Sequence, residues 1–165
     1  MIMMTILVFV LISIGAVILD QVTKLLAVNF LKPIDTFPII KDVLHLTYSE
    51  NTGAAFGMLK DARWVFMVFS VAAIIAIIVY FIVVKPTDKL CITALSFILG
   101  GGIGNMIDRV LYGYVVDFID FRLINFAIFN GADSFITVGA ALLMLYFIIG
   151  EVKNAGKKKN ENKGN

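Results

Sequence analysis

The chain has 165 residues, 60% of them hydrophobic and 16% charged, with a mean hydropathy of +0.95. That balance excludes an ordinary soluble domain and a disordered chain, and it marks a membrane protein. A net charge of +2 gives no basis for a nucleic-acid partner, and the lone Cys91 excludes an internal disulfide or a redox pair.

Four stretches carry no Asp, Glu, Lys, Arg or His: Met1–Leu19, Trp64–Val84, Leu90–Ile107 and Ser134–Gly150. About 20 helical residues cross a bilayer core of about 30 Å, so each stretch predicts a span. The expected organisation is one membrane domain over 1–153, with spans at about 1–20, 64–84, 90–107 and 134–150. Connections 21–63 and 109–133 and a disordered basic tail over 154–165 complete it. No Lys or Arg precedes the first stretch and no clear small-residue cleavage site ends it, so it reads as a span rather than a secretory signal.

In chain order, Asp20 closes the first span and stands four residues before Lys24. That spacing predicts an intrahelical ion pair worth a few tenths of a kcal/mol, the preferred role for Lys24. For Asp20, structural and site roles are evenly matched. Leu44–Ser49 ("LHLTYS") alternates as a strand does, and "ENTGAAFG" (50–57) is a turn of small residues. The loop "KPTDK" separates the second and third spans.

The third span ends in "GGGIGNMIDR", with Gly100 and Gly104 suited to close helix packing. Asn105 lies deeper than Asp108 and Arg109. It suits a bond to another helix or a hold on a substrate backbone, whereas the latter two suit an interfacial anchor. Val115–Phe121 ("VVDFIDF") is a second strand. Residues an odd number apart face opposite sides of a strand, so Asp117 and Asp120 cannot serve one site. "FNGADSF" then opens the fourth span, where Asn130, Asp133 or Ser134 suits a helix cap.

The tail carries five lysines, and "KPTDK" adds Lys85 and Lys89. The positive-inside rule puts both in the cytoplasm. Asp20, Asp108, Arg109, Asp117 and Asp133 then gather at the outer face, and ionisable groups at membrane depth are costly enough to mark function. The connection from Arg109 to Ala132 is short enough to fold Asp117 back over Asp133. Two carboxylates brought together share a proton, so that one takes a proton from water while the other donates to a carbonyl oxygen. A serine triad would depend on His45 alone, a zinc site lacks ligands, and no phosphate loop is present.

At this point the sequence resembles lipoprotein signal peptidase, the signal peptidase II family of bacterial membrane aspartic peptidases. "LDQVTKLLA", "SENTGAAFG", "GGGIGNMIDRV", "GYVVDFIDF" and "FNGADSFITVG" carry the resemblance in order along nearly the whole chain. It implies a four-helix membrane protein with a small extracytoplasmic β-platform. It implies Asp117 and Asp133 as catalytic aspartates, with Asp20, Lys24, Asn51, Gly53, Asn105, Asp108, Arg109, Asn130 and Ala132 shaping the site. It further implies action as a monomer without cofactor or metal on diacylglyceryl-modified prolipoproteins, with membrane lipid as surroundings and globomycin as inhibitor. "NFAIFN" and Gly131 depart from the usual family pattern around the Asn–Ala pair. The rival classes are a four-span transporter relaying ions through its carboxylates, which clustering at one face argues against, and a non-catalytic assembly protein.

Overall fold

The computed structural model describes residues 2–53 and 63–161, the last six by backbone alone. Four long helices carry the chain, each long and apolar enough to cross a membrane. They are α1 (Ile2–Leu26), α2 (Arg63–Val84), α3 (Lys89–Leu111) and α4 (Gly131–Glu161). A π-helical turn, Ala27–Leu31, extends α1.

Capping residues set the break between α2 and α3. Lys85 takes a left-handed conformation (φ 51°) at the end of α2, and Pro86 cannot extend the helix. Asp88 caps α3 by accepting from the N–H groups of Leu90 and Cys91 at 2.9 and 3.2 Å. The segments joining α1 to α2 and α3 to α4 form an antiparallel sheet in the order β1-β2-β3, from β1 (Thr36–Ile40), β2 (Leu44–Asn51) and β3 (Val115–Asp120). The sequence reading gives β2 and β3 but not β1, whose Pro38 is tolerated because β1 is an edge strand. Of "ENTGAAFG", residues 54–57 lie outside the described residues.

Two helices run further than the absence of charge suggests. α1 continues past Asp20 because Asp20 and Lys24 turn into the protein rather than toward lipid. α4 starts at Gly131 and holds helical backbone to Glu161, so residues 154–161 of the tail read as disordered from their charge but continue the helix, while 162–165 lie outside the described residues. Its lysines are good helix formers.

The hub is α3: 56% of its span is buried, against 17% or less for the other three. Glycines allow this closeness. A Cβ on Gly100 would lie 2.7 Å from both Ala16 Cβ and the Ser13 carbonyl of α1. One on Gly101 would run into the Ala132 carbonyl of α4, and one on Gly104 would sit 2.5 Å from the Asp20 carboxylate. Gly139 returns the contact from α4, where a Cβ would meet the Ala94 carbonyl at 2.8 Å. The packing role assigned to the α3 glycines therefore holds. Below these contacts, Phe9, Phe81, Cys91, Ile92, Leu95 and Leu99 form one apolar core, with the Phe9 and Phe81 rings stacked at 4.0 Å. A second core of Ala27, Leu31, Val116 and Phe118 seats the sheet on the end of α1.

Overpacking at such a contact costs about 1–3 kcal/mol. Gly100→Val is expected to lower the thermal unfolding temperature in detergent, whereas Gly150→Ala, with nothing within 4 Å, is expected to leave it unchanged or slightly raised. Equal unfolding temperatures for the two variants would contradict this packing.

Candidate active site

The site begins with a buried cation. Lys24 is 3% exposed, and its ammonium lies 2.8 Å from Asp20 Oδ2, 3.1 Å from Asp108 Oδ2 and 2.9 Å from Asn105 Oδ1. An ammonium has three donors, so this set saturates it. Asp20 and Asp108 are 0% and 1% exposed. Gln21 Nε2 donates to Asp108 Oδ1 at 3.0 Å and to the Gly104 carbonyl at 3.2 Å. The remaining acceptors reach other elements. Asp20 Oδ1 accepts the Ala132 N–H of α4 at 2.8 Å, and Asp108 Oδ2 accepts the Val116 N–H of β3 at 3.0 Å.

The expected Asp20–Lys24 pair therefore exists but is not the weak surface pair its spacing suggests. It belongs to a desolvated cluster joining α1 to α3, α4 and β3. Asp108 likewise is no mere interfacial anchor.

The start of α4 supplies the next layer. Asn130 caps the helix, its Oδ1 accepting the Asp133 N–H at 2.9 Å, and Asp133 Oδ2 accepts the Asn130 N–H at 3.3 Å. This is a reciprocal capping box built from Asn and Asp. The cap and site readings of Asp133 are thus compatible, since its other oxygen accepts from Asn105 Nδ2 at 2.7 Å.

β3 folds back beside this cap. The Phe118 and Ile119 N–H groups donate to the Phe129 carbonyl at 3.0 and 2.8 Å. Asp117 consequently receives Asn130 Nδ2 on Oδ1 at 2.7 Å and Asn51 Nδ2 on Oδ2 at 2.9 Å. Gly53 holds Asn51 in turn, its N–H donating to Asn51 Oδ1 at 2.9 Å. Asn130, itself fully buried, thereby touches both carboxylates.

A cleft of about 560 Å³ opens beside the pair, bordered by Asn51, Gly53, Phe66, Arg109, Phe129 and Asp133. Asp133 is half-buried at its edge, whereas Asp117 is 2% exposed and does not border it. Arg109 donates to the Asn105 carbonyl at 3.3 Å and sits over the Phe66 ring, 5.5 Å from its centroid.

Electrostatics separates the two acids of β3. Burial, and then the charge of Asp133, push the Asp117 carboxyl up to about 7 against the bonds from Asn51 and Asn130. Burial also acts on Asp120, but bonds from Arg122 at 2.9 Å and Thr47 at 2.8 Å outweigh it and hold that carboxyl below its ordinary value. The two acids reach separate partners, as strand alternation requires. His45 is buried opposite Asp120 in the sheet, its Nδ1 3.3 Å from Thr36 Oγ1, and is bonded to neither Asp117 nor Asp133. Among the described residues, no three His, Cys, Asp or Glu side chains converge as a metal-ligand set.

All eleven residues singled out from the sequence belong to this network or border its cleft. Gln21 is an addition. The available signal was an amide beside Asp20 in an otherwise apolar helix.

The architecture is that of known bacterial membrane enzymes. One solved structure, described as a bacterial membrane enzyme at 2.3 Å resolution, superposes with a TM-score of 0.78 at 38% identity, covering 91% of this chain and 90% of that one. A second so described, at 1.9 Å, gives 0.76 at 38% identity over 84% and 91%. A sequence model of the family "Signal peptidase (SPase) II", peptidase A8, matches residues 12–149. The lipoprotein signal peptidase of Caldanaerobacter subterraneus subsp. tengcongensis is 53% identical over 77% of this chain and 86% of its own length. That of Halothermothrix orenii is 45% identical over 79% and 88%. The chain belongs to the signal peptidase II family, and it is a multi-pass bacterial membrane peptidase.

Removing one partner of a buried ion cluster leaves uncompensated charge and costs about 3–5 kcal/mol. Lys24→Met is therefore expected to destabilise the protein strongly. Lys32→Met, which breaks a pair with Glu50 whose side chains are 51% and 40% exposed, is expected to have no measurable effect. Chemical denaturation in mixed micelles distinguishes them, and equal losses would contradict the buried cluster.

Proposed function

We propose that the protein removes the signal peptide from diacylglyceryl-modified prolipoproteins, cutting just before the lipidated cysteine with Asp117 and Asp133 as an aspartic dyad. The observation that carries this reading is Asn130, whose side chain bonds Asp117 and whose backbone N–H bonds Asp133, beside an apolar cleft. The family relatives named lipoprotein signal peptidase support the substrate class.

The two carboxylates have different work. Asp133 lies in the first turn of α4, where the Asn130 N–H and the helix dipole favour negative charge. It borders the cleft and acts as the base that takes a proton from water. Asp117, buried on a strand with no comparable field, keeps its proton and donates it to the scissile carbonyl oxygen. Water then adds to the carbonyl carbon, and collapse of the tetrahedral species releases the amine, with the proton returned through the pair. Asn51, Asn105 and Asn130 hold the carboxylates by donating to them. Phe66, Phe126, Phe129 and Val138 give the cleft apolar walls for acyl chains and signal helix.

The site is placed at the outer face, with the Lys85–Lys89 loop and the lysine-rich C-terminal tail in the cytoplasm. One chain is the working unit, because α3, the start of α4 and the sheet of a single chain supply every dyad contact described. The chemistry requires two carboxylates and water, without a cofactor. Sensitivity to globomycin, a cyclic lipopeptide, belongs to the same reading.

Cleavage of a lipidated prolipoprotein peptide by purified enzyme tests this reading. Asp117→Asn and Asp133→Asn are each expected to lose about 10²–10⁴-fold in turnover, and Asp120→Asn to keep most of it. Because Asp117 must carry its proton, activity is expected to fall as pH rises through about 7. Wild-type turnover in either dyad variant, or a flat profile from slightly acid to strongly alkaline pH, would sink the assignment.

A further inference from the structure

Three asparagines donate to the dyad, and each must present its NH₂ rather than its oxygen. For two of them a backbone N–H settles the matter. The Gly53 N–H occupies Asn51 Oδ1 and the Asp133 N–H occupies Asn130 Oδ1, each at 2.9 Å. A backbone N–H can only donate, so both NH₂ groups are left for Asp117. Asn105 is held differently. Its Oδ1 faces Lys24 Nζ at 2.9 Å and Asn130 Nδ2 at 3.1 Å, and its Nδ2 faces Asp133 Oδ1 at 2.7 Å.

We infer that Lys24 is a positioning residue for the dyad: its ammonium, which can only donate, fixes the Asn105 carboxamide with the oxygen turned inward and the N–H aimed at Asp133. The inference rests on the reading of Asp117 and Asp133 as the reacting pair.

The geometry gives the cation one free direction. Asp20 and Asp108 take two of its three N–H groups at 2.8 and 3.1 Å, and the third reaches Asn105. Were the carboxamide turned over, its NH₂ would face the ammonium and the Asn130 NH₂, and its oxygen would face Asp133 Oδ1. That sets donor against donor and acceptor against acceptor. A neutral amide at position 24 has an acceptor of its own and would no longer oppose the turned-over carboxamide, leaving only Asn130 Nδ2 and Asp133 Oδ1 to do so. Lys24 is the charged donor among the groups that fix this orientation, and it acts where water does not compete. The same cluster holds the other side of Asp133, because Asp20 binds the Ala132 N–H one residue earlier. Lys24 thus fixes the partner of Asp133 through Asn105, and helps fix the start of α4 through Asp20.

The test is a double-mutant cycle on the purified full-length protein, pairing Lys24→Met with Asn105→Leu. It is run in an Asp108→Asn background, so that Lys24→Met removes one charge of each sign relative to the native cluster. The readouts are kcat and KM on a lipidated prolipoprotein peptide, with thermal unfolding as the control for folding. Each substitution is expected to lower kcat about 100-fold with KM unchanged, since a misplaced reacting group costs about that much. The doubly substituted protein is expected to lose far less than the product of the two single losses. Losses that multiply, or a raised KM with kcat retained, would overturn the inference.

Asn105→Asp in the otherwise native protein keeps an oxygen toward Lys24 but replaces the NH₂ aimed at Asp133. It is expected to lose kcat as Asn105→Leu does, and native kcat would overturn the inference even if no Lys24 variant folds. Native turnover in Asp133→Asn would instead defeat the dyad reading, so the two failures are distinguishable.

Discussion

An ammonium ion enclosed between α1 and α3 organises the active end of this protein. Stranding a charge at membrane depth is expensive, and the cost is offset only when good geometry satisfies every donor and acceptor. Lys24 meets Asp20, Asp108 and Asn105 at 2.8–3.1 Å. The acids spend their remaining capacity on the first turn of α4, the first residues of β3 and Gln21. A change in any of these elements would leave buried polar groups unpaired, so the cluster fixes how helices and sheet meet.

The glycines of α3 make that junction possible. A side chain at Gly104 would occupy the space of the Asp20 carboxylate, and one at Gly101 would collide with the backbone of α4. Close packing and buried charge are therefore one design: small residues bring the backbones together, and ionic groups set their register. Elsewhere the helices share an ordinary apolar core and turn apolar side chains outward, as a lipid environment requires. Asp117 and Asp133 differ because this frame treats them differently. One is buried on a strand of the sheet, and the other stands at a helix start on the edge of the cleft.

Much of this was legible in the sequence. Four charge-free stretches gave the spans, alternation gave β2, β-rich composition gave β3, and the short Arg109–Ala132 connection gave the approach of Asp117 to Asp133. Other features were hidden for physical reasons. Asp20 and Lys24 have the spacing of a surface pair, and burial is not written in spacing. Asp133 could be read as a cap or a site residue because the sequence did not show that its two oxygens take separate donors. β1 was concealed by Pro38, which argues against a strand unless the strand is known to lie at an edge. The helical backbone of residues 154–161 was concealed by lysines, which suit both a helix and a solvated chain.

The central claim is that the frame makes the two carboxylates unequal, with the shared proton on Asp117. Infrared difference spectroscopy of protein labelled at aspartate, in nanodiscs near neutral pH, reads this directly. The account predicts a neutral carboxyl band that disappears in Asp117→Asn and survives in Asp133→Asn. A band that survives in Asp117→Asn and disappears in Asp133→Asn would contradict it.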